Sequence, residues 1–417
     1  MTDAQTAPAA QAAPPAERHV YFFGAGRAEG TKDMKRVLGG KGANLAEMTN
    51  IGVPVPPGFT IACQVCVQYL ADGSVPPGLR DEVATNLRRL EEVTGRGFGD
   101  PRDPLLVSVR SGAPVSMPGM METILNLGLN DRTVLGLTQA SGSARFAYDS
   151  YRRFIQMYAD VVLGVPAHNF EHLLRAKRVL AGVETDAELS EEVLRNLVEE
   201  YKALVRNTLG RPFPTDPVEQ LWGAIEAVWK SWTLKKAVDY RKANGIAESL
   251  GTAVNVVAMV FGNMGDDSGT GVAFTRDPST GERRFYGEFL VNAQGEDVVS
   301  GIRTPRPLAE LERQMPDAFA ELRATMERLE GHYRDLQDIE FTVERGRLYV
   351  LQTRAGKRTA AAAVRIAREL VAEGVIDAAH RLVDPRQLDQ LLHPRLDPDA
   401  HYDVLTRGLN ASPGAAV

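Results

Sequence analysis

Two runs of alternating apolar and polar residues constrain the fold of this chain more than any other feature. They occupy 338–343 and 347–354 and are separated by Glu344-Arg345-Gly346. A period of two is typical of a strand with one buried face. A three-residue connection that ends in glycine is typical of a hairpin, because glycine tolerates the left-handed conformation required there. The segment therefore predicts an antiparallel hairpin.

The predicted register brings four polar side chains to one face of this hairpin. Asp338 lies opposite Gln352, Glu340 lies opposite Val350, and Arg354 falls on the same face. The apolar face then consists of Ile339, Phe341, Val343, Tyr349 and Leu351. Carboxylate and amide oxygens are ligands that Mg²⁺ prefers, and arginine binds phosphate with two hydrogen bonds. A solvated hairpin face with a surface ion pair would give the same pattern.

The rest of the chain divides according to its predicted secondary structure. At 417 residues it exceeds the usual size of one hydrophobic core, so more than one packed unit is expected. Strand patterns flank a long helical region, which predicts an α+β fold of two α+β lobes with a helical insertion. The expected parts are a disordered leader (1–19), a first lobe (20–130), the insertion (131–250), a second lobe (251–356) and a helical linker that opens a further domain (357–417).

Composition and charge argue against several classes of protein. With 48 basic and 54 acidic residues the net charge is −6, which is unlike a general nucleic-acid binder. No apolar run approaches the roughly 20 residues of a membrane helix. Cys63 and Cys66 are the only cysteines, too few for a four-thiolate zinc site or a disulfide framework. We therefore expect a cytoplasmic protein with neither a nucleic acid nor a membrane as partner.

Two cationic residues outside the hairpin are candidates for binding phosphate. Lys41 lies in a glycine-rich run, 39–42, that leads into a helical pattern. Helix starts attract anions through free N–H groups and the helix dipole. Arg110 ends a predicted strand, where ligands commonly bind in α/β proteins. A solvated lysine in a turn and an arginine that caps a strand are the ordinary alternatives.

Two turns are candidates for contacts to a nucleotide. The turn 268–271 contains Thr270 and Gly271, and its backbone N–H groups can bind an anion. The segment 294–297 offers acceptors for a ribose or an adenine amino group. Each is equally typical of a plain turn. From its residues alone, the chain is interpreted as a two-lobe protein that binds a Mg²⁺-nucleotide or phosphate.

Several long segments resemble the characteristic sequences of one known family. They are GGKGANLAEM at 39–48, DPLLVSVRSGA at 103–113, SMPGMMETILNLGLND at 116–131 and SGTGVAFTRDPSTGE at 268–282. The chain resembles the nucleotide-binding part of the pyruvate phosphate dikinase family over almost all of 20–417. The resemblance implies an ATP-grasp fold that binds ATP between two lobes, with Mg²⁺ as cofactor. It also implies the conversion of ATP, phosphate and pyruvate to AMP, diphosphate and phosphoenolpyruvate, or the reverse.

The resemblance also implies roles for particular residues. The catalytic cations that contact phosphate match Lys41, Arg110 and Arg354. The ligands of metal and phosphate match Asp338, Glu340 and Gln352. Glu296 resembles an acidic nucleotide contact, and Thr270 and Gly271 resemble a backbone contact loop. Arg153 matches a position associated with docking of a mobile domain.

In this family a histidine on the mobile domain carries the phosphoryl group to a pyruvate-binding barrel. The residues up to Val417 resemble those with which the histidine domain begins in the family. We therefore expect the histidine and the barrel either in cis, in a longer protein, or in trans. A homodimer would form through those missing domains. One alternative is a non-catalytic or regulatory module that binds ATP, or a partner through the Arg152 and Arg153 surface. Another is a standalone ATPase with water as the acceptor.

Overall fold

The computed structural model describes residues 18–299, 303–379, 382–388 and 391, and at 296, 299, 386 and 387 it describes the backbone only. Its strands are β1 (Val20–Gly24), β2 (Arg27–Ala28), β3 (Gly58–Ile61), β4 (Gly97–Phe98), β5 (Pro104–Leu105), β6 (Val107–Gly112), β7 (Thr123–Leu127), β8 (Ala253–Ala258), β9 (Gly269–Phe274), β10 (Tyr286–Val291), β11 (Arg306–Pro307), β12 (Gln337–Glu344) and β13 (Arg347–Ala355). Its helices are α1 (Lys35–Asn50), α2 (Cys63–Asp72), α3 (Leu79–Thr94), α4 (Thr133–Ser141), α5 (Ala144–Val161), α6 (Ala167–Ala181), α7 (Glu191–Leu209), α8 (Pro217–Ser231), α9 (Lys235–Ala243), α10 (Gly295–Val299), α11 (Ala309–Gln314), α12 (Pro316–Tyr333), α13 (Ala360–Ala372) and α14 (Pro385–Leu388). The predicted mixture of helices and strands is confirmed.

The first sheet has six strands in the order β2-β1-β3-β8-β6-β7. Strand β8 lies at its centre and pairs antiparallel with both β3 and β6. Residues 253–258 were predicted to lie in the second lobe, which was expected to begin at 251. For β8 this predicted boundary between the lobes is wrong. The reason is that the strand pattern is local, whereas the pairing partners of β8 lie much earlier in the chain.

The second sheet has five strands in the order β11-β10-β9-β12-β13. Helices α11 and α12 cover one face, where Leu322 and Leu329 belong to the same buried cluster as Ile339 and Phe341. The chain breaks between α11 and α12 at Met315. Pro316 starts α12, and proline disfavours a helical conformation in the residue before it.

Helices α4 to α9 pack against the first sheet and do not form a separate core. One cluster of buried side chains contains Phe154, Leu197 and Trp229 from these helices together with Val107 and Ile124 from the sheet. Side chains cap the helices where the sequence provides them, as at Asp216, which accepts a hydrogen bond from the backbone of α8. The helical segment therefore supports the sheet that carries part of the site.

The two ends of the chain are only partly described. Arg18 and His19 were expected in the disordered leader, but the His19 backbone N–H donates to Glu82 and Arg18 forms an ion pair with Glu29. The remainder of the leader, 1–17, lies outside the described residues, as does almost all of the chain after 388. Within the described ranges, no helix has both the length and the apolar character needed to cross a membrane.

Candidate active site

The hairpin of β12 and β13 has a shorter turn than the sequence analysis predicted. Only Arg345 and Gly346 connect the strands, both with positive φ (49° and 76°), and Glu344 pairs with Arg347. Two-residue turns with positive φ match the twist of the flanking strands. The Arg345 backbone N–H donates to the Ser268 hydroxyl, which helps to hold this conformation. The predicted three-residue connection is therefore wrong.

A β-bulge then changes the pairing of the polar residues. It lies between Glu340 and Phe341, and beyond it Asp338 is opposite Arg354 and Glu340 is opposite Gln352. The predicted pairs were wrong. Cross-strand partners and residues two apart point to the same side of a sheet. The four polar side chains consequently share one face, as the alternating pattern predicted.

The apolar face of β13 also differs from the prediction. Leu348 and Val350 are fully buried in the core, whereas Tyr349 and Leu351 are partly exposed. The assignment of Tyr349 and Leu351 to the core is wrong because a turn shorter by one residue moves the other set of side chains to the buried face. On β12, the predicted core positions are confirmed as Ile339, Phe341 and Val343.

A glycine kink places Lys41 against the end of β6. Helix α1 is interrupted at Gly39 (φ 67°, ψ 172°), so regular helix begins at Gly40. A Cβ atom at Gly39 would lie 1.6 Å from the carbonyl oxygen of Gly112, and the Gly40 N–H donates to the carbonyl of Ala113 over 2.9 Å. Only glycine allows the two backbones to approach so closely. Lys41 thus lies in the first helical turn, as predicted.

A cleft with a volume of about 580 Å³ separates the two sheets. Arg110 from β6 lines it on one side, and Thr270 and Gly271 from β9 and Glu340 from β12 line it on the other. Much of the remaining wall is apolar and includes Met121, Leu125, Met157, Met259 and Val260. The cleft therefore brings together candidates that lie as much as 230 residues apart in sequence.

Positive charge gathers around Lys41 in this region. Burial, the neighbouring guanidinium of Arg110 and that of Arg354 together lower the pKa of Lys41 to about 7, against the opposing effect of Glu340. A terminal nitrogen of Arg110 lies 3.7 Å from a carboxylate oxygen of Glu340, and the buried Nε of Arg110 has no hydrogen-bond partner. An anion would relieve the repulsion among these three cations.

Asp338 and Glu340 form the acidic part of the same region. Burial raises the pKa of Asp338, and Glu340 reinforces this shift by repulsion. Arg354 opposes it, because its Nε donates a hydrogen bond to the Asp338 carboxylate over 2.7 Å. No group of three or more His, Cys, Asp or Glu side chains suited to a metal occurs in the described part of the chain. The candidate ligand set instead combines two carboxylates with Gln352, and two mutually repelling carboxylates suit a divalent cation.

The other predicted contact residues differ in their surroundings. The Thr270 hydroxyl donates to the carbonyl of Phe341. Thr270 and Gly271 lie within β9, which pairs with β10 on one side and β12 on the other, so they do not form the predicted turn. A Cβ atom at Gly271 would lie 2.4 Å from the Glu288 carbonyl oxygen, which explains the absence of a side chain there. Glu296 lies in α10, and its side chain is outside the described residues.

Arg152 and Arg153 do not form the exposed surface that the regulatory alternative requires. Arg152 is only 4% exposed and pairs with Asp149 and Asp186. Arg153 is mostly buried and pairs with Asp149 and Asp297. The idea of a docking surface made of both arginines is therefore wrong for Arg152.

Sequence reasoning missed one residue that connects the two halves of the site. The Asn44 side chain on α1 donates to the carbonyl of Thr353 on β13 over 2.8 Å, across 309 residues of sequence. No local pattern around Asn44 predicts this hydrogen bond, because a single polar residue on a helix has many possible partners.

Known proteins share much of this sequence. The family model described as pyruvate phosphate dikinase, AMP/ATP-binding domain, matches residues 35–91, 70–314 and 307–374. The chain belongs to this family. It is 56% identical over 412 residues to pyruvate, phosphate dikinase from Rhizobium meliloti (strain 1021). The aligned region covers 95% of this chain and 46% of that relative.

Plant relatives show the same partial coverage. Pyruvate, phosphate dikinase 1, chloroplastic, from Arabidopsis thaliana is 54% identical over 407 residues, covering 96% of this chain and 42% of the relative. Pyruvate, phosphate dikinase 2 from Zea mays is 54% identical over 405 residues, covering 96% of this chain and 46% of the relative. The chain thus spans less than half the length of these curated relatives.

Proposed function

We propose that the chain binds ATP with Mg²⁺ between its two sheets and supplies the phosphoryl-donor site of a pyruvate, phosphate dikinase. Two sheets separated by a cleft fit the ATP-grasp arrangement. The observation that carries the proposal is the convergence of Lys41, Arg110 and Arg354 beside a cleft with a largely apolar wall. The cations suit a triphosphate, and the apolar wall suits a base.

The ion pairs of the cleft prepare it for this ligand. Arg354 is held by Asp338, and Arg110 lies near Glu340. When ATP enters, its phosphate oxygens replace the carboxylates as partners of both arginines. Asp338, Glu340 and Gln352 would hold Mg²⁺, which would neutralise phosphate charge. Phosphoryl transfer depends mainly on positioning and charge neutralisation, which these residues provide.

The acceptor in this proposal is a histidine outside the 417 residues. The matched relatives are about twice as long as the chain, so the histidine domain and the pyruvate-binding barrel would come from the rest of such a protein. Phosphate would be the second substrate of the overall reaction. The cleft needs no general base of its own for transfer to an imidazole, because a neutral imidazole is itself the nucleophile.

Transfer in trans tests the proposed function directly. The chain would be incubated with Mg·ATP, phosphate and a separately purified histidine domain from the Rhizobium meliloti relative. We expect acid-labile phosphohistidine on the added domain, and none when either protein is omitted. ATP binding without phosphohistidine would indicate the non-catalytic module instead.

Proton uptake on binding should identify Lys41 as a phosphate contact. Phosphate oxygens favour the ammonium form, so binding raises a pKa that is about 7 in the free cleft. Above pH 7 binding then takes up a proton, and affinity for metal-free ATP falls by up to about tenfold per pH unit. Calorimetry at pH 8 in two buffers of different ionisation enthalpy counts these protons.

The matched control for this measurement is Lys41→Arg. Its guanidinium stays charged throughout the range, so we expect binding without the extra proton uptake. Equal uptake by the wild type and this variant would assign the proton to another group.

A further inference from the structure

Gln294 belongs to the segment 294–297, and it is a polar side chain of the cleft that has no hydrogen-bond partner among the residues that the structure describes. It is 5% exposed, it lines the cleft, and neither its amide oxygen nor its amide nitrogen has a hydrogen-bond partner. Most buried amides are paired, because an unpaired buried polar group is destabilising. A buried side chain at the cleft wall with both amide atoms unpaired is therefore suited to a ligand with one donor and one acceptor.

The backbone around Gln294 is firmly held, so the free amide does not reflect a loose loop. The Gln294 N–H donates to the Asp297 carboxylate over 2.9 Å, and the preceding Ala293 N–H donates to the carbonyl of Gly262 over 2.9 Å. A Cβ atom at Gly262 would lie 2.4 Å from the carbonyl oxygen of Ala293. This close contact fixes the backbone that carries Gln294 at the cleft wall.

Strand β9 shows where Gln294 lies relative to the charged groups. Its last residue, Phe274, pairs with Asp338, and its first residue, Gly269, pairs with Val291, three residues before Gln294. Five steps along a strand span roughly 16 Å. Gln294 therefore lies toward the end of the cleft opposite to Asp338. A nucleotide with its phosphates at the cations would direct its base toward Gln294.

We propose that Gln294 recognises the adenine base by two hydrogen bonds. Its amide oxygen accepts from the exocyclic amino group, and its amide nitrogen donates to the neighbouring ring nitrogen. Glutamine and adenine form such a bidentate pair in other settings, because one donor and one acceptor face one acceptor and one donor. This role rests on the proposed function, since it requires a nucleotide in the cleft.

The test compares two ligands that share the phosphates and differ in the base. ATP and inorganic tripolyphosphate are titrated, each with Mg²⁺, into the wild-type chain and into Gln294→Leu. We expect the variant to raise the Kd for ATP about tenfold or more and to leave the Kd for tripolyphosphate unchanged. Unchanged binding of tripolyphosphate also verifies that the variant is folded. Equal weakening of both ligands would indicate a structural role and overturn the proposal.

A nucleotide without the amino group provides the second arm. Purine riboside triphosphate should bind the wild-type chain more weakly than ATP does, and the variant should bind both nucleotides equally. If Gln294→Leu binds ATP as tightly as the wild type while Arg354→Ala does not, base recognition by Gln294 is wrong and the proposed function stands. If the folded wild-type chain binds no ATP, the proposed function fails and this inference fails with it.

Discussion

Arg354→Ala is expected to lower phosphoryl transfer from ATP by about a hundredfold or more and to leave the fold intact. The Arg354 side chain is 47% exposed, so its removal creates no cavity. Its loss takes a phosphate donor from the cleft. It also leaves the buried Asp338 carboxylate without its cation, so the already raised pKa of Asp338 rises further and the group becomes a weaker metal ligand.

Arg347→Ala is the matched control for this change. Arg347 is an exposed arginine on the same strand, beyond the bulge, and its guanidinium lies over the Tyr349 ring, outside the described cleft lining. Phosphohistidine formation in trans, thermal melting and far-UV circular dichroism would be measured for both variants. We expect normal transfer for the control. Undiminished transfer by folded Arg354→Ala would remove Arg354 from the site.

Gly39→Ala is expected to damage both stability and nucleotide binding. The new Cβ would lie 1.6 Å from the Gly112 carbonyl oxygen, and the φ of 67° is strained for any L-residue. Either α1 or the end of β6 must move, which changes the spacing between Lys41 and Arg110. We expect a loss of about 2–4 kcal/mol in the free energy of unfolding and at least a tenfold weaker Kd for Mg·ATP.

The neighbouring substitution Gly40→Ala separates this close approach from a general intolerance of larger residues. At Gly40 the nearest atom to an added Cβ is the Ala113 carbonyl oxygen at 3.5 Å, an ordinary contact. Chemical denaturation and ATP titration should place this variant within about 1 kcal/mol of the wild type. If both variants behave alike, the kink at Gly39 does not position the site.

The sequence allowed the polar face of the hairpin to be predicted, because alternation is a local property. It did not allow the exact pairing to be predicted. The two-residue turn is held by hydrogen bonds from Arg345 to Ser268 and from Gly346 to Asp267, which precede β9. At the bulge, the Val350 N–H donates to the carbonyl of Pro54, a partner far away in the sequence. One residue of difference in the turn was enough to exchange Tyr349 for Leu348 in the core.

Long-range features were harder to predict than the candidate residues themselves. Lys41 and Arg110 could be named from a glycine-rich run and a strand end, and the resemblance to a family supported both. The central place of β8 in the first sheet depends on partners that local periodicity does not identify. The same is true of the bond from Asn44 to Thr353, which joins the two halves of the site.

A calorimetric titration of Mg·ATP into the 417-residue chain tests the central claim most directly. The account predicts saturable binding to one site per chain. The double variant Lys41→Met/Arg110→Met serves as the control and should give no binding while remaining folded by circular dichroism. Absence of binding to the folded wild-type chain, or equal binding by the double variant, would contradict the assignment of this cleft to ATP.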